Sequence, residues 1–110
     1  MKIVNPLGEI TININVLKHL VYQSLLECYG LVKMDDVNLI SKYLGGEEKG
    51  IHLKDEEDGI YIDVYPVVSY GMKIDQVSLN VQQYVDYKFE DMLGIKPIEI
   101  NVHVLGIKLD

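Results

Sequence analysis

Between Gly59 and Ile107 the hydrophobic period changes twice, from two residues to between three and four, then back to two. Ile60, Ile62 and Val64 alternate with Tyr61, Asp63 and Tyr65. Side chains alternate across a strand, so the aliphatic set takes one face and the tyrosines the other. Ile74, Val77, Val81, Tyr84, Val85, Phe89 and Met92 recur at three- and four-residue steps, which makes one stripe of a long helix over 74–93. Ile98, Ile100, Val102 and Val104 then alternate with Glu99, Asn101 and His103. A strand, a long helix and a strand can bury their apolar sides only against one another, so the stretch predicts helix layered on sheet.

The boundaries of these elements carry their own signals. Pro66 has no N–H for a ladder, so the first strand is expected to bulge there or to lie at an edge. Asp75 is expected to cap the helix with its carboxylate. Gly94 is expected to end it in the left-handed conformation that a side chain resists. Lys88 falls inside the stripe, so its stem should pack while its ammonium reaches water.

The N-terminal half reads more faintly. Glu9 to Asn13 alternates as a short strand, with Ile10 and Ile12 on one face, and Asn13 is a candidate N-cap. The helix after it runs to about Tyr29, with Leu17, Leu20, Val21, Leu25 and Cys28 as its stripe and Ser24 inside it. Gly30 stops it, and Leu31 to Met34 reads as a strand. Both helices thus end in glycine, an aliphatic residue and a strand, which is the pattern of two similar units and also of any pair of glycine-capped helices. Asp35 to Leu44 has a short helical pattern, with Val37, Ile40 and Leu44 on one face. Residues 45–50 read as a loop. Ile51 to Lys54 should pair with Ile60 to Val64 across an acidic turn ending in Asp58-Gly59, a strong hairpin signal.

Together the elements predict one domain over residues 1–110. Its fold class is α+β, a two-layer sandwich of one mixed β-sheet with two main helices on one face. Two helices cannot cover both faces. The open face would then carry Tyr61, Tyr65, Glu99, Asn101 and His103, the candidate interaction surface. Tyrosine suits interfaces because its rigid ring buries area at little entropic cost. Strand propensity alone also enriches it there.

Charge narrows the partners. Asp and Glu number 17 against 10 Lys and Arg, a net charge of −7. Nucleic-acid backbones and anionic lipid surfaces both call for clustered cations, so neither is expected as a partner. Any membrane location would need an adaptor protein. Cys28 is the single cysteine, which excludes an internal disulfide and suits a reducing cytoplasm. Neither a signal peptide nor a run of the ~20 apolar residues of a membrane span is visible.

No catalytic residue, cofactor site or metal site emerges. Asp55, Glu56, Glu57 and Asp58 lack the ligand spacing of an EF-hand loop and read as a solvated turn. His19, His52 and His103 stand far apart and form no metal motif, although His52 and His103 could share a side of the sheet. Cys28, on an apolar stripe, reads as a small buried hydrophobe. The glycines at 45, 46 and 50 are flanked by Glu47 and Glu48, which would repel a phosphate.

Two blocks of residues carry a family resemblance. One is Tyr70-Gly71, Ile74, Val77, Val81-Gln82, Val85, Gly94 and the ending Val102-x-Val104-x-Gly106-Ile107. The other is Gly8-x-Ile10-x-Ile12, Val16 and Gly30-Leu31-Val32. Their order and spacing resemble the YloU-like alkaline shock protein family, also called the envelope stress response family, of Gram-positive bacteria and their relatives. The resemblance spans the chain apart from roughly Lys33 to Lys49. It implies a non-enzymatic cytoplasmic protein of cell-envelope homeostasis that self-associates or binds a protein partner, in some members a membrane-anchored one. The residues themselves leave open a small-molecule or metal-binding regulatory domain. An RNA-binding module is disfavoured by the acidity and by the lack of a basic Gly-x-x-Gly loop.

Overall fold

The computed structural model describes residues 1–28 and 50–109. In chain order these form β1 (Lys2–Asn5), β2 (Gly8–Thr11), α1 (Ile14–Glu27), β3 (Ile51–Glu56), β4 (Gly59–Val64), β5 (Val67–Ser69), α2 (Ile74–Leu93), β6 (Glu99–Val102) and β7 (Gly106–Lys108). The expected strand at Leu31–Met34, the short helix at Asp35–Leu44 and the glycine stop at Gly30 lie outside the described residues.

β4 is the central strand of a three-stranded sheet, antiparallel to β3 and parallel to β6. β3 and β4 form the expected hairpin, with Glu56 opposite Gly59 and only Glu57 and Asp58 in the turn. Gly59 sits at φ 142°, and a Cβ there would lie 2.6 Å from Ile98 Cγ1, so the position demands glycine twice over. A parallel pair needs a long crossover, and α2 supplies it between β4 and β6.

The α+β class holds, with a mixed sheet at its centre. The remaining strands, however, form two further pairs, β1 with β2 and β5 with β7. Pro66 explains one separation. It is buried within β4's own line of chain, where it can donate nothing, and the ladder stops at Val64 and resumes at Val67. Val64 pairs Val102 but Val67 pairs Gly106, so the partner line carries one extra residue across the break. The backbone N–H groups of His103 and Leu105 still bond the carbonyls of Val64 and Pro66, at 2.8 and 3.0 Å. The break thus falls where the chain passes from β4, which has a neighbour on each side, to β5, which among the described strands pairs only with β7.

The core fills one side of this sheet. Ile51, Leu53, Ile60, Ile62 and Val64 meet Leu17, Val21 and Leu25 of α1 and Val77, Val81, Val85 and Phe89 of α2. Full burial of such side chains stabilises by about 1.5–3 kcal/mol each. Ser24 is buried among them and donates its hydroxyl to the Leu20 carbonyl at 2.8 Å. Ile74 and Met92 sit at the two ends of the α2 stripe and are exposed. Ile98, assigned by alternation to the core side, is also exposed, because it precedes β6 at the sheet's rim.

The caps follow the sequence in two of three cases. Asn13 caps α1, its Oδ1 accepting from the Asn15 N–H at 2.8 Å. Gly94 ends α2 at φ 71° with its N–H bonded to the Glu90 carbonyl. The third expectation is corrected. α2 begins at Ile74 with Lys73 as an N-cap that makes no side-chain bond. Asp75 falls in the first turn, where its carboxylate accepts from Gln76 N–H at 2.8 Å and still complements the helix dipole. Helix α1 ends at Glu27, short of Tyr29.

β1 was not legible from the pattern. It pairs with β2 as an almost wholly exposed hairpin, with Val4, Leu7 and Ile10 turned to solvent. Only its base touches the core, through Met1 and Ile12.

Candidate interaction face

The strand alternation that drives Ile60, Ile62 and Val64 into the core turns Tyr61, Asp63 and Tyr65 to the opposite side. The register then selects their neighbours. Tyr61 lies beside Glu99 and Asp63 beside Asn101 on β6, while Lys54 and His52 of β3 flank the same two residues from the other edge. The five residues proposed from sequence therefore share one face, which neither helix covers.

Within that face the side chains hold one another. The Tyr65 ring stacks on His103 with centroids 4.7 Å apart and planes 19° from parallel. His103 Nε2 lies 2.9 Å from Asp63 Oδ1. This hydrogen bond, with a further one from Asn101, holds the Asp63 carboxyl below the usual aspartate range against the opposing effect of partial burial. Asn101 Nδ2 also donates to Glu99 Oε2 at 3.3 Å. The Tyr61 hydroxyl donates to Asp58, and that bond is the main reason its pKa is pushed up to about 12. The result is two oriented rings and several carboxylates, fixed before any partner arrives.

Alternation pointed to the tyrosines, Glu99, Asn101 and His103. It did not single out Asp63, the residue on which His103 and Asn101 converge. The signal was present, since Asp63 lies between the two tyrosines at the same period. The parallel pairing of β4 with β6, which delivers its partners, was not.

The other candidates resolve separately. His52 and His103 do lie on either side of Asp63, yet no group of three or more His, Cys, Asp or Glu side chains among the described residues could hold a metal ion. His19 is exposed on α1. Cys28 is half-buried against the core, and its burial and the neighbouring Glu27 push the thiol up to about 11, far from a nucleophile's range. Lys88 does not simply reach water. Its ammonium lies 3.7 Å from Glu27 and 5.5 Å over the Tyr84 ring, and Tyr84 donates its hydroxyl to the same Glu27, which ties α2 to α1. Between the helices runs a groove of about 360 Å³, lined by Val16, Leu17, Leu20, Met92 and Leu93 and also by His19, Gln23, Ser24, Glu27 and Lys88. No helix among the described residues is long and apolar enough to cross a membrane.

Comparison with known proteins bears on what such a chain is for. The uncharacterized protein YloU of Bacillus subtilis is 32% identical over 108 residues, which is 93% of this chain and 90% of that protein. The uncharacterized protein Spy1614 of Streptococcus pyogenes is 36% identical over 108 residues, 93% of this chain and 89% of that protein. No solved structure matches. The ASP23 family, described as having a cell envelope-related function, matches residues 2–109. This chain belongs to that family, the alkaline shock family whose pattern its sequence carries.

Proposed function

We propose that this protein is a non-enzymatic scaffold or interaction protein of the cell envelope, and that its open sheet face binds a protein partner. The family supports the envelope role. The observation that carries the mechanism is the preorganised face, in which Tyr61, Tyr65 and His103 are already held by Asp58, Asp63 and each other. Rings fixed in place lose little freedom on binding, so more of their buried area appears as affinity. The partner is a second copy or a membrane-anchored or lipid-metabolism protein. On this reading the protein works in the cytoplasm and reaches the membrane only through that partner, since a net charge of −7 is repelled by anionic lipid.

The test is the pair Tyr61→Ser with Tyr65→Ser. Both rings point away from the core, so circular dichroism should show an unchanged fold. Self-association by sedimentation velocity, or capture of the partner, should weaken. Unchanged association would remove this face and leave the sheet edges or residues 33–49 to explain binding.

A second reading has its own observation. The groove between α1 and α2 is of a size that suits a small ligand, and its lining joins apolar side chains to a few polar ones, as in a regulatory domain. A monomer whose melting temperature rises with such a ligand would favour it.

A further inference from the structure

We infer that the open sheet face takes a basic segment of another protein, extended and presenting Arg or Lys at alternate positions, and not a second copy of this chain. The inference rests on the proposed reading of this face as the partner surface.

The charges around the face decide between the two occupants. β3 contributes His52, Lys54 and Glu56, the turn contributes Asp58, β4 contributes Asp63, β6 contributes Glu99, and His103 follows β6 directly. Among the described residues, four carboxylates thus stand against one ammonium. A two-fold contact sets a patch against itself, so a second copy would bring carboxylates onto carboxylates. Asp63, the central one, is the group whose ionised form the face stabilises.

The chemistry on offer suits a cation. Tyr61 and Tyr65 stand one side-chain step on either side of Asp63. Carboxylates bind guanidinium through paired, charge-assisted hydrogen bonds, and tyrosine rings attract it over their faces. An extended peptide repeats its side chains at the spacing of the strand beneath it, about 6.6–6.8 Å for every second residue. Alternate Arg side chains can therefore meet Tyr61, Asp63 and Tyr65 in step. Among the described residues of the three strands, Lys54 is the one full positive charge at this face and should favour a partner that avoids the β3 edge.

The experiment uses the full chain and a short fluorescein-labelled peptide alternating arginine with serine, with a glutamate–serine peptide of equal length as control. Fluorescence anisotropy at low salt should show saturable binding of the arginine peptide only, weakening as salt is raised. Asp63→Asn with Glu99→Gln should lose about tenfold or more in affinity, as removal of charge-assisted contacts does. Glu99→Gln alone, at an exposed edge position, guards against misfolding and should lose part of it. Asp75→Asn with Asp91→Asn on α2 removes the same charge elsewhere and should leave affinity unchanged. Absence of saturation, or equal losses from the two double variants, overturns the inference. If Tyr61→Ser with Tyr65→Ser abolishes partner capture while the arginine peptide never binds, the face remains the partner surface and only its basic occupant falls.

Discussion

Along β4 one backbone serves two surfaces. Ile60, Ile62 and Val64 are 3%, 0% and 0% exposed against α1 and α2, whereas Tyr61, Asp63 and Tyr65 keep access to solvent on the other side. The covered set packs into a cluster of apolar side chains and has no side-chain polar atom to satisfy. The open set is joined by hydrogen bonds and a ring stack to Asp58, Asn101 and His103. Covered residues gain by removing area from water, an effect without direction. Open residues gain little stability from their bonds, because exposed polar contacts exchange with water. What those bonds fix is orientation. On the proposed function, stability lies on one face and recognition on the other, so substitutions on the two faces should separate the two properties.

The covered face should yield the largest effect. Phe89 is fully buried between α2 and the sheet, and Phe89→Ala should cost about 3–5 kcal/mol in urea unfolding. A cost under about 1 kcal/mol would mean that the helical layer does not carry the core. Cys28 lies at the margin of the same layer, half-buried. Cys28→Ser buries a hydroxyl in place of a thiol and should cost on the order of 1 kcal/mol, with association unchanged. A folded Cys28→Ser variant that no longer bound its partner would place recognition on the helical side and undo the comparison.

The open face should yield the smallest stability change, and one that depends on pH. The hydrogen bond from His103 holds Asp63 below its ordinary range in the folded state. A carboxyl whose pKa is depressed by folding contributes stability above its unfolded value, about 3.9, and loses it as pH falls through the native value. His103 is 47% exposed, so solvent screens the pair and the contribution should stay below about 1 kcal/mol. Asp63→Asn should therefore be slightly less stable than the wild type at pH 7, and the gap between the two urea curves should narrow as pH falls below about 4 and close beneath the native value. A gap that does not narrow as pH falls below about 4 would assign the effect to packing instead.

What could be read in advance followed from periodicity. The long helix was legible to its last residue because seven apolar positions and Gly94 agreed. The division of β4 into two faces was legible because a strand has a period of two and one set was aliphatic throughout. Pairing was harder, since it depends on residues far apart in the chain. Nothing in Gly59–Val64 says that Glu99–Val102 lies beside it in parallel, and the meeting of His103 with Asp63 depends on that register. β1 escaped notice because Lys2–Asn5 is only four residues long and nearly all exposed, so it shows no buried face to alternate. Asp75 misled as a cap because a carboxylate is favourable both at the cap and in the first turn.

The central claim is that partners meet the sheet and not the helices. A photo-crosslinking side chain tests this most directly when placed at Glu99, exposed on the open face, and separately at Gln83, exposed on α2. Irradiation of cells carrying each variant should give discrete covalent adducts from the Glu99 position and none from Gln83. Adducts from Gln83 with none from Glu99 would contradict the account and move the working surface to the helical layer.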